Sequence, residues 1–192
     1  MSRGTLGTLG ALAVAVLCGG LIVAEVDHVV RDRGLPLSDA SVIREQAAEK
    51  HLDPALIAAV IYAETKFDPR PSSAGAQGLM QILPETAYYL AHLSGGTTFT
   101  AGDLASPRIN VAYGSYYLRY LLDHYDGNEM LALAAYNGGV TNVDQWLAHA
   151  RAEGTSLSEE TIPFPETREY VRRVLSAQRD YRTIYARQLG LE

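Results

Sequence analysis

The chain has 192 residues, 47% hydrophobic and 20% charged, a balance that suits one globular domain with a short appendage and excludes intrinsic disorder. Lys and Arg number 16 against 22 Asp and Glu, a formal charge of −6, so the chain lacks the basic surface that nucleic-acid binding needs. Cys18 is the single cysteine and no two histidines stand three or four residues apart, so no disulfide, metal or cofactor is expected.

Arg3 precedes an uncharged apolar stretch from Leu6 to Ala24. Its roughly 19 residues, at about 1.5 Å of rise each, just span a bilayer core. Residues 1–30 therefore read as a transmembrane anchor, or as a signal segment if the chain is cut after Ala24. With Arg3 held on the cytoplasmic side, the remainder is sent outward. Cys18 reads as an apolar helix residue, because Leu17 is large where a lipidation signal favours a small side chain. Residues 31–37 close a charged linker that ends in Leu35-Pro36-Leu37.

Beyond the linker the pattern is helical nearly throughout. Ser38 or Asp39 is placed to cap a helix running to about His51, and Asp53-Pro54 combines an N-cap carboxylate with a proline in the first turn. Pro84 restarts a helix. Ser106-Pro107 repeats the Asp53 device before a long helix that ends near Tyr125, with Gly127 as a stop. Asn128 caps the next helix, which ends at Asn137-Gly138-Gly139. A further helix carries Trp146. The last begins near Glu166 and shows Val171, Val174, Leu175, Gln178, Tyr181 and Tyr185 on one stripe. No alternating run is long enough for a strand, so the expected fold class is all-α, in one domain over residues 38–192.

Glu64 is the most informative residue. It follows Ile57, Val60 and Ile61 at seven, four and three residues, which sets its carboxyl on the core-facing side of the Asp53-Pro54 helix. Burial penalises the carboxylate and raises the pKa, and a carboxyl protonated near neutral pH suits a general acid. A fraying Glu paired with Lys66 or Arg70 is the structural alternative. The segment Ser72-Ser73-Ala74-Gly75-Ala76-Gln77-Gly78-Leu79-Met80-Gln81-Ile82 follows. Its glycines permit close backbone approach to a ligand and free φ angles, and Gln81 is able to read hydroxyl or acetamido groups.

Four ordered motifs resemble a known family: Glu64-Thr65-Lys66-Phe67-Asp68-Pro69, Gly75 to Ile82, Ala135-Tyr136-Asn137-Gly138-Gly139, and Pro165-Glu166-Thr167-Arg168-Glu169-Tyr170-Val171. They are similar to the soluble lytic transglycosylase (SLT) domain, with its lysozyme-like fold, over roughly residues 38–185. The resemblance implies a two-lobed helical domain whose cleft holds the glycan strands of peptidoglycan; the N-terminal segment adds the expectation of an exported protein anchored facing the cell wall or periplasm, or secreted if the leader is cleaved. It implies that Glu64 is the single acid/base. Glu64 would protonate the oxygen between N-acetylmuramic acid and N-acetylglucosamine, then deprotonate the muramic 6-hydroxyl as that group attacks C1, leaving a 1,6-anhydro end. Ordinary glycosidases use two carboxylates; an internal nucleophile gains from proximity and dispenses with the second.

The same resemblance implies substrate-binding roles for Ser72, Gln81, Tyr136, Asn137 and Glu166, with the Tyr136 hydroxyl near the catalytic carboxyl. Thr65 stands where Ser is common, Gly138 where Ala is common, and Leu83 where some members carry Met. Asp68 is expected to cap the turn at Pro69. Two alternatives stay open at this level: a hydrolase of the same architecture using water and a second carboxylate, and a wall-binding module that holds glycan without cutting it.

Overall fold

Proline placement sets most of the helix starts. Pro54, Pro84, Pro107 and Pro165 each open a helix, where the missing N–H would have had no intrahelical acceptor. A computed structural model describes residues 34–95 and 98–192. Its helices are α1 (Ala40–Lys50), α2 (Pro54–Thr65), α3 (Pro84–Ser94), α4 (Pro107–His124), α5 (Glu129–Gly138), α6 (Val140–Ala152), α7 (Pro165–Ile184) and the short α8 (Ala186–Leu189). Two 3₁₀ turns, Ala101–Ala105 and Glu159–Thr161, fill connections. Among the described residues the only β pairing is an isolated antiparallel bridge between Gln77 and Ile82, so the all-α expectation holds.

The expected anchor over residues 1–30 lies outside the described residues. No described helix is long and apolar enough to cross a membrane. Residues 37–192 form one compact unit.

The caps agree with expectation in part. Asn128 Oδ1 accepts from the Leu131 N–H at 3.1 Å, and Asp53 Oδ1 from the Ala55 N–H at 3.0 Å. Ser106 precedes α4 as expected, but its hydroxyl makes no cap bond and its carbonyl alone holds the Asn110 N–H, at 2.8 Å. At α1 neither candidate closes a side-chain cap: Asp39 is left-handed, and its carboxylate accepts from the Ser38 hydroxyl at 2.7 Å.

Helix α2 is the axis of the domain. Every residue from Ala55 to Ile61 is buried, so the expected stripe is a helix enclosed on all sides. Its most extensive neighbour is α7; α5 packs against α4 and α7, and α1 against α4. The α7 stripe buries Val171, Val174, Gln178 and Tyr181 as predicted and adds Tyr170 and Ala177. Leu175 and Tyr185 sit at its half-buried margin.

Asp53 does more than cap. Its second oxygen accepts from Gln178 Nε2 at 2.8 Å and from Arg182 Nη2 at 2.6 Å, so one side chain ties the start of α2 to the end of α7. Replacing Asp53 by Ala removes the cap and leaves the buried Gln178 amide short of an acceptor, a loss of about 2 kcal/mol. Asp53→Asn, which still offers one acceptor oxygen, loses less. Urea denaturation of the two variants checks the order.

Candidate active site

Glu64 stands in the last turn of α2, where the enclosed helix emerges. Immediately after it the chain reverses through two successive left-handed residues, Lys66 (φ 52°) and Phe67 (φ 63°). The segment from Arg70 to Ile82 is thereby brought back beside the helix end. Burial is the main cause that lifts the Glu64 carboxyl from 4.5 to about 7; nearby Tyr170 and the Arg173 guanidinium oppose the rise. A carboxylate in a helix's last turn also meets the unfavourable end of the helix dipole.

Two tyrosines flank this carboxyl. Tyr170, from α7, is 2% exposed. Its hydroxyl lies close enough to Glu64 to oppose the rise in that group's pKa, yet it completes no hydrogen bond of normal geometry among the described residues. Burial first, then the Glu64 charge, pushes Tyr170 well above its ordinary ionisation range. Tyr136, from α5, shows the same pattern, with burial foremost and Glu64 second. Its hydroxyl donates to the Met80 carbonyl at 2.8 Å. The expected proximity of Tyr136 to Glu64 is met, but its proton is engaged by the loop and not by the acid. Arg173 sits one turn beyond Tyr170, exposed, with its guanidinium carbon 5.8 Å from the Tyr170 ring centroid.

The loop that faces the acid is held by side chains from three helices. Thr65 Oγ1 donates to the Leu79 carbonyl at 2.9 Å, so the threonine keeps the hydroxyl of the commoner serine. Fully buried Asn110, from α4, is the second tether. Its Oδ1 accepts from the Met80 N–H at 2.8 Å, and its Nδ2 donates to the carbonyls of Gln77 at 2.8 Å and Leu104 at 3.2 Å. Tyr136 is the third. The Gln77–Ile82 bridge, with both N–H···O contacts at 3.0 Å, closes the loop's base.

This arrangement corrects the expected role of Gly78. At φ 73° a Cβ there would lie 2.1 Å from Asn110 Nδ2 and 2.7 Å from the Leu104 carbonyl oxygen. The glycine makes room for the protein's own asparagine, not for a ligand.

Of the other expected site residues, Ser72 is half-buried and its Oγ accepts from the Ala76 N–H at 2.9 Å; its hydroxyl proton is still available to a ligand. Gln81 uses Nε2 on the carbonyls of Arg70 and Gly78, both at 2.9 Å. That leaves its amide oxygen as the group able to meet a ligand. Asn137 is exposed at the end of α5, and its Oδ1 accepts from Thr167 Oγ1 at 2.8 Å. Glu166, exposed in the first turn of α7, is the neighbour of that threonine. The contact brings Asn137 and the start of α7 together. It also accounts for Gly138: a Cβ would stand 3.0 Å from Thr167 Oγ1 and 3.4 Å from the Trp146 ring. Asp68 does not cap the turn at Pro69; it pairs with Arg70 at the surface.

Sequence reasoning missed Tyr170, Arg173 and Asn110 as site residues. Tyr170 extends the α7 stripe one turn before Val174, and a polar-tipped aromatic at the end of an apolar stripe was the available signal. Asn110 carries no local signal, since its partners lie up to 33 residues away.

The family model described as the transglycosylase SLT domain matches residues 41–158, and that of the soluble lytic transglycosylase helical domain matches residues 161–192. The chain is 31% identical, over 81% of its length, to the soluble lytic murein transglycosylase of Escherichia coli K12. It is 39% identical, over 55% of its length, to a transglycosylase of the enterobacteria phage PRD1, covering 36% of that protein. Among solved structures it resembles an inactive Glu→Gln mutant of the lytic transglycosylase Slt from Pseudomonas aeruginosa (TM-score 0.70, 32% identity, 78% of this chain and 24% of that one). It also resembles the 70-kDa soluble lytic transglycosylase of E. coli (TM-score 0.73, 29% identity, 82% of this chain and 26% of that one). The chain thus spans about a quarter of the length of its curated E. coli relative, 24%.

Proposed function

The chain belongs to the transglycosylase SLT domain family, and from that premise we propose that it is a peptidoglycan lytic transglycosylase with Glu64 as its single acid/base. The observation that carries this reading is the state of Glu64: a carboxyl beside a tethered loop, lifted by burial to a pKa of about 7. At neutral pH such a group is present both as acid and as carboxylate, which is what one residue serving both steps needs.

The steps balance without water. Glu64 gives its proton to the oxygen linking muramic acid to the following N-acetylglucosamine, and the C1–O bond breaks. The Glu64 carboxylate then takes the proton from the muramic 6-hydroxyl while that oxygen bonds to C1. A 1,6-anhydro ring forms and Glu64 is again protonated. Tyr170 and Arg173 both act on the Glu64 charge, and in this reading the nucleophile is the sugar's own hydroxyl, in place of the second carboxylate that ordinary glycosidases use. The Tyr170 hydroxyl, which already opposes the rise in the Glu64 pKa, steadies the carboxylate once its proton has left. Ser72, Gln81, Tyr136, Asn137 and Glu166 are assigned to the sugar substituents on either side of the bond that Glu64 cuts.

Residues 38–192 are the catalytic domain and residues 31–37 a linker. Residues 1–30 export the protein and anchor it facing the cell wall or periplasm, unless cleavage releases it.

The pH profile tests the acid role. An essential acid with a pKa of about 7 places the alkaline limb of kcat/KM on purified peptidoglycan near pH 7. Arg173 lowers that pKa, so Arg173→Ala moves the limb to higher pH. A limb set near 9, or one that ignores Arg173, contradicts the assignment.

A further inference from the structure

Helix α4 buries Val111, Leu118 and Leu121 in the core, and its other face carries a row of half-buried and exposed rings. Tyr117, Tyr120 and His124 follow one another at three and four residues, so they share a stripe. Their planes are close to parallel: Tyr117 and Tyr120 at 6.3 Å and 15°, Tyr120 and His124 at 6.5 Å and 24°. The near end abuts the active site, since Tyr117 lies 5.3 Å from the Tyr136 ring. Tyr89, from α3, widens the track. It is 48% exposed, its ring is 6.1 Å from Tyr120, and the two hydroxyls are 3.4 Å apart.

The far end is polar. Asp144 Oδ1 stands 3.3 Å from His124 Nε2 and accepts from the Tyr125 hydroxyl at 3.2 Å. Its other carboxylate oxygen takes no hydrogen bond among the described residues. Asp144 and His124 border an open pocket of about 290 Å³ shared with Leu147 and Arg151.

We propose that this ladder of rings and the Asp144 pocket at its end form a distal glycan subsite, holding sugars of the same strand that is cut at Glu64. The proposal rests on the glycan-cleaving reading above. A pyranose presents an apolar C–H face and a rim of hydroxyls. Flat, partly exposed rings meet the face, and a carboxylate with an unused oxygen accepts from the rim. Binding at a distance from the scissile bond makes long strands better ligands than short ones.

The experiment measures glycan affinity in protein carrying Glu64→Gln, which prevents cutting, with and without changes along the track. The probes are purified long glycan strands and a tetrasaccharide of the same repeat. Tyr120→Ala and Asp144→Ala weaken binding of long strands about tenfold and leave the tetrasaccharide unaffected, while Tyr120→Phe, which keeps the ring, stays close to the parent. Long-strand affinity unchanged by Tyr120→Ala and Asp144→Ala overturns the subsite, as does an equal loss on both probes. Failure of the parent protein to bind either probe would overturn the glycan reading itself.

Discussion

Glu64→Gln lowers turnover of peptidoglycan by at least about a thousandfold while leaving glycan binding intact. The amide has the size of the acid, so the sugars around it are held as before, but it neither gives nor takes the proton. The same change stabilises the fold in a pH-dependent way. The folded-state pKa of Glu64 is raised from 4.5 to about 7, so the folded protein holds a proton that the unfolded chain has released across that interval. Its contribution is complete below pH 4.5 and is lost as pH rises through 7, reaching up to about 3 kcal/mol. Above pH 7 the wild type therefore carries an ionised, poorly solvated carboxylate that Gln lacks. Thermal unfolding of both proteins at pH 4 and pH 8 checks this, with the Gln variant gaining Tm relative to wild type only at the higher pH. Loss of activity with that gain identifies a residue kept for chemistry at the expense of stability.

Asn110→Ala destabilises the domain by about 3 kcal/mol, because it removes one partner from each of three backbone groups at once, the Met80 N–H and the carbonyls of Gln77 and Leu104. It also costs activity. The released segment is tied to the residue after Glu64 through Thr65 and to Tyr136 through the Met80 carbonyl, and slackening it changes the solvation that lifts the acid's pKa. Gly78→Ala reaches the same result from the other side, since its Cβ would overlap Asn110 Nδ2 and the Leu104 carbonyl. In combination the two losses fall short of their sum, because both act on one contact. Chemical denaturation of the singles and the double measures this. Full additivity would show that Asn110 and Gly78 do not act as a unit.

How much of this was legible depended on whether the cause was local. Proline at N1 and the Asn128 cap act within one turn, so the helix starts could be read from spacing. Glu64 was legible too, because three apolar residues at helical spacing define its face, although the helix proved to be enclosed all round. The glycine loop was read correctly in its need for free φ angles, with Gly75 at 83° and Gly78 at 73°, but what crowds Gly78 comes from α4, some thirty residues on, and no local pattern announces it. The second duty of Asp53 is hidden in the same way, with its partners at Gln178 and Arg182. The tyrosines of α4 could not be sorted from sequence, since Leu118 and Leu121 on the core face and Tyr117 and Tyr120 on the other are all apolar by composition.

Mass spectrometry of the muropeptides that residues 31–192 release from purified peptidoglycan identifies the nucleophile. The single-carboxylate mechanism predicts products ending in 1,6-anhydromuramic acid, with no oxygen taken from isotopically labelled water. Products with free reducing ends carrying the label would contradict it, because they require water as the nucleophile and a second group to activate it.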